Sequence, residues 1–523
     1  SSRLECESAL LNLDEPMGTC GSVWLNKEML PLIEEAEARS LAASENPGNR
    51  FRIVFLGEGY VLGQREQFFQ DAQRFTGHIL RSQSFRSFAP LFSISAVHLP
   101  SSCSGIGAKG RPNATPFAVY RKENERAIFM KWHRYGVIDY YRGVAVRACS
   151  LAGGWNFFII IGNDDSYGGL SGSDYVITTR SPTNGWSVLR HEMGHMLAGV
   201  GEEYDGGEIY CGGNTTRSFS KVPWEHWLTE PDVRVKQRVE QHIMERPFVD
   251  LTAGRHTYLF ESSGKYARWS LQFAVNGCAE PGSLRVIFDG QELSWVPHKA
   301  DGGELAAGTT MDRQWYKYGD NTTGFTTGSH TLSFESGSTE KLGQHRRELQ
   351  FVQVLEYGSE DEFKMQPGYI GFYPTWDQKG RERYRPTSNL CCMRDMESET
   401  LCPICKEIIW QRLLTRRSLI DRVDVAQDWD AGQTTFSLKA VPVAHLRSEP
   451  VQDISESMEV VWQQQDGQKL RHEGGFSLTL PAGDAIGNWT VTLLYSTSEV
   501  RSDPGGLLKF TERFTVQDSS SPL

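Results

Sequence analysis

The sequence predicts a multidomain protein: an α/β layer bearing one short helix with a histidine pair, an inserted β-sandwich, and a second, immunoglobulin-like β-sandwich at the end. Three observations carry this. At 523 residues the chain exceeds what one hydrophobic core organises. Strand-like apolar runs alternate with helix-like periodicity through residue 199, the pattern of an α/β layer with at least partly parallel pairing. Beyond residue 243, and again over the final hundred residues, short alternating runs recur between Gly, Asp, Ser and Pro turns, too closely spaced for helices to intervene.

Taken in order, Arg52 to Leu56 is a β-branched and aromatic run ending in Gly57-Glu58-Gly59, as a buried strand entering a turn. Gln64 to Arg81 follows as a helix, with Phe68, Phe69, Ala72, Phe75 and Ile79 on one stripe. Strands are expected at Phe92 to Leu99, Trp155 to Ile161 and Asp174 to Thr179. The segment Asn184 to Gly199 reads as a helix with Asn184 or Ser187 as N-cap and glycine after its end. Alternation then predicts strands at Thr257 to Glu261, Arg268 to Val275, Leu284 to Phe288, His330 to Glu335 and Glu348 to Tyr357, the inserted sandwich. Glu407 to Leu419 looks helical, and Ser457 to Gln463, Phe476 to Leu480 and Asn488 to Tyr495 supply strands of the terminal sandwich. The resulting boundaries are an N-terminal segment (1–50), a core domain in two parts (51–242 and 361–418), the insertion between them (243–360) and the terminal sandwich (419–523).

Composition narrows the function classes. A formal charge of -11 with no basic block argues against nucleic acid and anionic membranes as partners. The longest apolar run, Trp155 to Ile161, is far short of the roughly 20 residues a membrane helix needs. Ten cysteines and the acceptor triplets at Asn214, Asn321 and Asn488 point to a secreted, disulfide-bonded glycoprotein, and the start at Ser1-Ser2 suits a processed form. A further triplet at Asn113 is disfavoured by Pro116 directly after it. Cys6 with Cys20 and Cys402 with Cys405 are candidate local disulfide pairs, the second at a C-x-x-C spacing that also suits redox chemistry or a second metal; the neighbours Cys391 and Cys392 are expected to bond different partners.

The chemistry is concentrated in His191-Glu192-Met193-Gly194-His195. Histidines one helical turn apart share a face, so both rings can offer a nitrogen to one Zn2+ ion. Glu192 beside them can hold and deprotonate a water on that zinc, and return the proton to a leaving amine. A third ligand is needed. Glycines at 199 and 201 stop the helix and turn the chain, and Glu202 and Glu203 follow at once. Only one of these two reaches the metal, because neighbours in an extended segment point in opposite directions. A turn at Gly199 with a ligand three residues later resembles the metzincin spacing, which favours Glu202 slightly and leaves Glu203 open; a third arrangement takes Glu225 from a later helix. Tyr167 to Gly172, rich in glycine, suits an edge that pairs with substrate backbone.

Several stretches resemble one family, the IgA-peptidase family of zinc metallopeptidases. Its pattern of a histidine pair followed by Gly-Leu-x-Asp-Glu-Tyr is similar to Gly199-Val200-Gly201-Glu202-Glu203-Tyr204 here, with one carboxylate lengthened. Arg52 to Leu56 with Gly57-Glu58-Gly59-Tyr60 resembles the family's opening strand and Gly-Asp-Gly-Tyr turn, again with Glu for Asp. Tyr167-Gly168-Gly169, Asn389 to Met393 and Cys402-Pro403-Ile404-Cys405 are similar too. The resemblance spans residues 50 to 230 and 365 to 415, and leaves both β regions outside. It implies a metzincin-like catalytic domain, with Met393 packed beneath the metal as a Met-turn and Tyr204 and Tyr384 as candidate phenols for the tetrahedral oxyanion.

Two functions from different classes follow. The first is a secreted zinc-dependent metalloendopeptidase acting on protein or peptide substrates, with glycans as further partners through the β modules. The second is a glycan-binding or adhesive β-sandwich protein whose metal only stabilises the fold. A structural zinc takes four protein ligands and has no use for a neighbouring base, which separates the two.

Overall fold

The structure, a computed structural model, describes residues 35–108, 111–121, 128–130, 138–172, 174–278, 282–295, 312–337, 347–428, 430–465, 472–473 and 475–517. Most of the N-terminal segment and the expected Cys6–Cys20 pair lie outside the described residues.

The first domain is built on β1 (Glu37–Ala42), β2 (Phe51–Glu58), helix α1 (Arg65–Arg81), β3 (Phe92–His98), a small hairpin of β4 (Val119–Arg121) and β5 (Ile128–Met130), helix α2 (Ile138–Leu151), β6 (Phe157–Gly162), β7 (Gly169–Ser171), β8 (Tyr175–Thr179) and helix α3 (Gly185–Ala198). Six of the strands form one sheet in the order β1-β3-β2-β6-β8-β7. The four central strands are parallel, and the edge strands β1 and β7 are antiparallel to their neighbours. Parallel strands need cover on both faces, and the side-chain alternation supplies it. Ile53, Phe55, Ile159 and Ile161 join a core with Phe68 and Phe75 of α1 and Leu189 and Met193 of α3. Val54, Leu56, Phe158 and Ile160 face the other way, onto Val144, Ala145 and Ala148 of α2. The expected partly parallel α/β layer is therefore present, with β1 and α2 added to it.

Glu58, at the end of β2, is fully buried. Its carboxylate accepts from the backbone N–H of Phe117 (2.9 Å) and Val119 (2.7 Å) and from the Thr115 hydroxyl. This ties the loop preceding β4 to the end of the central strand, so the lengthened carboxylate of the Gly-Glu-Gly turn has a bracing role.

The inserted module contains β9 (Val239–Glu245), β10 (Val249–Asp250), β11 (His256–Ser262), β12 (Arg268–Asn276), β13 (Leu284–Phe288), β14 (Gln291–Leu293), β15 (Gln314–Asp320), β16 (Gly328–Ser336) and β17 (Glu348–Tyr357). A five-stranded and a four-stranded sheet share one core that includes Leu271, Phe273, Val286, Leu332, Phe334 and Val352. Its first strand begins at Val239, ahead of residue 243, because Val239 pairs with Tyr357 in β17; the segment's own alternation is too weak to reveal that pairing. The chain then returns through a hairpin of β18 (Tyr373–Trp376) and β19 (Glu382–Arg385) to helix α4 (Pro403–Leu414). This helix starts four residues before the expected Glu407: Cys402 is its N-cap and Pro403, with φ already fixed, sits in its first turn.

The terminal module comprises β20 (Ile420–Asp428), β21 (Gln433–Ala440), β22 (Glu456–Gln464), β23 (His472–Glu473), β24 (Ser477–Pro481), β25 (Gly487–Thr497) and β26 (Lys509–Val516). They form a three-stranded and a four-stranded sheet, and residues of both, among them Phe436, Leu478, Trp462, Trp489 and Val491, pack in one core. No helix among the described residues is long and apolar enough to cross a membrane.

Candidate metal centre

α3 follows β8 after a short turn, and ten of its fourteen residues are buried. Asn184 is the N-cap, but its side chain does not cap the helix; the amide donates instead to the Arg313 carbonyl at 2.8 Å, fastening the helix to the inserted module. At the other end Gly199 takes the left-handed conformation (φ 59°, ψ 35°) that a side chain disfavours, and the chain reverses there.

The reversal brings three groups together. His191 Nδ1 lies 3.0 Å from the Cys392 carbonyl and His195 Nδ1 lies 2.7 Å from the Val200 carbonyl. A carbonyl only accepts, so both Nδ1 atoms carry the proton and a neutral ring presents its bare lone pair at Nε2. These two Nε2 atoms are 3.1 Å apart, and the Glu202 carboxylate stands 3.1 Å from one and 3.3 Å from the other. Donors about 2.0 Å from a tetrahedral zinc lie roughly 3.3 Å from one another. Two lone pairs and a carboxylate converging at such distances repel unless a proton or a metal cation sits among them.

The electrostatics point the same way. Burial pulls the His195 imidazole down, but the Glu202 carboxylate overrides it and lifts its pKa to about 9; His191 is raised by the same balance. Burial pushes Glu202 up, yet the adjacent imidazoles hold it well below the usual carboxylate range. The pocket is thus set for positive charge.

Backbone hydrogen bonds set which of the two glutamates faces the histidines. Glu202 N donates to Ile209 O at 2.7 Å and Glu203 N to Met393 O at 3.0 Å. The segment is therefore extended, and alternate side chains diverge. Glu202 faces the histidines, whereas Glu203 is fully buried on the other side, next to Asn214, Cys402 and Cys405. Glu225 is in neither place; its carboxylate pairs with Arg234 at 2.5 Å on the surface.

Met393 is fully buried, and a Cβ added at Gly194 would come 2.5 Å from its Sδ. The sulfur therefore fills the space that the glycine before His195 leaves open. Gly194→Ala is expected to destabilise the fold by about 1–3 kcal/mol through overpacking, with a matching fall in the thermal or urea midpoint; an unchanged midpoint would show that Met393 is free to move aside.

A cavity of about 210 Å³ opens over the site, and Glu192 lies on its wall with His191, Glu202 and Tyr204. The Tyr204 ring is 5.9 Å from that of His191. Tyr384, expected as a second phenol, is a correction: its ring packs on Phe219 and its hydroxyl donates to Glu382 at 2.6 Å, away from the cavity lining. The β18–β19 hairpin carries it into packing. Tyr167, just ahead of β7, lines the cavity in its place. The far wall belongs to the inserted module, through Arg313, Trp315, Gln350 and Phe351, and the Arg313 guanidinium lies 3.8 Å above the Tyr167 ring. β7 is the terminal strand of its sheet, and a Cβ at Gly169 would meet Val188 of α3 at 2.1 Å and Glu192 Cγ at 3.6 Å. Glycine there lets the edge strand run close beside the glutamate.

Two further expectations change. Asn214 is fully buried; its Oδ1 accepts from Gly201 N (2.8 Å), and its Nδ2 donates to Gly201 O and Glu203 (both 2.9 Å). An amide so enclosed has no room for a glycan, and its work is to hold the glutamate loop. The expected Cys402–Cys405 disulfide is not formed: the sulfurs are 3.4 Å apart, well beyond the roughly 2.05 Å of an S–S bond.

Residues 40–242 match the family model described as IgA Peptidase M64. No curated protein matches the chain. Solved structures similar to parts of it include a family 35 carbohydrate binding module from an environmental isolate, 8% identical over 23% of this chain and 90% of that one, TM-score 0.14. Another is a carbohydrate binding domain of a multidomain xylanase from the hindgut metagenome of Trinervitermes trinervoides, 11% identical over 23% and 95%, TM-score 0.14. A third is a carbohydrate binding module of a lichenase from Cellvibrio mixtus in complex with cellotriose, 10% identical over 23% and 85%, TM-score 0.13. Scores this low carry no argument about fold or ligand.

Proposed function

Residues 40–242 belong to the IgA peptidase M64 family, and from that membership we propose that the protein is a zinc-dependent metalloendopeptidase. The observation that carries the reading is the convergence of His191 Nε2, His195 Nε2 and the Glu202 carboxylate, with both Nδ1 atoms committed to backbone carbonyls. Two imidazoles and a carboxylate are a donor set suited to zinc with a position left open. Zinc bound there supplies a Lewis acid and brings the pKa of a water towards about 7.

The remaining steps belong to the chain. Glu192 accepts the proton of the attacking water and delivers it to the leaving amine. Tyr204, with Tyr167 beside it, supplies a phenol to the oxyanion of the tetrahedral intermediate. β7, the terminal strand of its sheet, pairs with an extended polypeptide, which Arg313 and Trp315 of the inserted module confine from the far side. Binding a strand's length of substrate across the cleft is what makes the activity an endopeptidase. The rival reading, an adhesive protein with a structural metal, needs a fourth protein ligand, and the cluster offers three among the described residues.

In the same reading the first domain is metzincin-like with Met393 as its Met-turn, and the terminal sandwich is immunoglobulin-like. Secretion is supported by the acceptor triplets at Asn321 and Asn488, both of which are exposed.

The test is cleavage of a mixed peptide library with and without a chelator. Internal cleavage that stops on chelation and returns with zinc supports the reading; cleavage indifferent to the chelator rejects it. The sign of the pH dependence follows from His195. Because protons compete for the same Nε2 lone pairs and its pKa is raised to about 9, metal retention weakens as pH falls below that value. Chelation is therefore faster at pH 6 than at pH 8.

A further inference from the structure

Behind the Glu202 loop lies a second cluster of ligand atoms, Cys391, Cys402, Cys405 and Glu203, all buried and all within 4.8 Å of one another. The geometry points to a second, structural zinc site held by these three thiolates and one carboxylate, separate from the histidine site and independent of any peptidase activity.

Four observations carry it. The Cys402 and Cys405 sulfurs are 3.4 Å apart and those of Cys391 and Cys405 3.8 Å. Thiolates about 2.3 Å from a tetrahedral zinc are separated by roughly 3.8 Å, so the spacing fits a shared ion and not a covalent bond. The Glu203 oxygen Oε1 lies 3.8 Å from Cys405 Sγ and 3.9 Å from Cys402 Sγ, closing the fourth corner. Glu203 is fully buried and its Oε2 has no hydrogen-bond partner among the described residues; an interior carboxylate oxygen without a donor is a position that a cation satisfies. Finally, Cys402 is the N-cap of α4, Cys405 lies in its first turn, and the Cys402 N–H donates to Cys391 Sγ at 3.3 Å, so one helix end gathers all three sulfurs. A disulfide between any two of the three cysteines would strand the third thiol against the Glu203 carboxyl.

Such an ion has a structural consequence. Cys391 stands two residues before Met393, and Glu203 follows Glu202 directly. One zinc would clamp the methionine turn, the start of α4 and the glutamate loop, and so fix the direction in which Glu202 points.

The test uses the full chain. Elemental analysis of the wild type should give two zinc ions per chain, and His195→Ala should keep one. X-ray absorption of that variant should show sulfur neighbours at about 2.3 Å, and a mercurial that blocks thiols should release its zinc. If His195→Ala does not fold, the wild type answers alone: two zincs with a sulfur shell support the site. One zinc per chain without sulfur neighbours, or intact mass showing a disulfide among Cys391, Cys402 and Cys405, overturns it. A chain that holds sulfur-bound zinc yet cleaves no peptide would reject the peptidase reading and leave this site standing.

Discussion

Glu192→Gln is expected to lower kcat for peptide hydrolysis by about a hundred- to ten-thousand-fold while leaving zinc content and thermal stability at wild-type values. The side chain occupies the cavity wall between the two histidines in sequence, beside the glycine edge of β7, and is only partly buried. Among the described residues its carboxylate has no hydrogen-bond or ion-pair partner, so the amide replacement removes a proton acceptor and little else. Because the lost step is proton transfer, KM should change far less than kcat. A variant that retains full activity would mean that another group takes the proton, and Glu192 would lose its assigned role.

Glu202→Ala is expected to lose metal from the histidine site, with affinity reduced by more than the roughly 10- to 100-fold that outer partners of a metal site usually cost. Two effects combine. The variant removes one of three donors, and it removes the negative charge that raises His191 and His195 and holds positive charge in the pocket. Glu203→Gln is the matched control, since its side chain points away from the histidines. It should weaken metal binding at the histidine site far less than Glu202→Ala does, while disturbing the cysteine cluster and lowering stability. The reverse pattern, metal lost in the Glu203 variant and kept in the Glu202 variant, would exchange the two residues' roles.

The sequence makes the local part of this site legible and hides the part set by distant contacts. α3 runs Gly185–Ala198, within a residue of the expected ends, because its periodicity and the following glycine are local signals. Leu284–Phe288 and Glu348–Tyr357 coincide with expectation for the same reason: alternation is written into the segment itself. The glutamate question was different. Which carboxylate turns inward depends on hydrogen bonds to Ile209 and to Met393, the latter almost two hundred residues away in sequence, and no spacing rule encodes that. Tyr167 and Tyr384 look alike as letters, and only the placement of β7 and of the β18–β19 hairpin separates a cavity residue from a packing one. The Asn214 triplet carries an acceptor pattern but says nothing of burial. Arg313 and Trp315 belong to a module that reads as a separate sandwich, so their place in the cleft wall had no signal near the histidines. The Cys402-x-x-Cys405 pair was visible, whereas Cys391 and Glu203 join it only through the fold.

The account rests on a cation held between His191, His195 and Glu202, and anomalous diffraction at the zinc edge from crystals grown with zinc tests it most directly. The prediction is a peak about 2.0–2.2 Å from both Nε2 atoms and from one oxygen of Glu202. A map with no peak between the two rings, at full zinc supply and with the rings ordered, would contradict it.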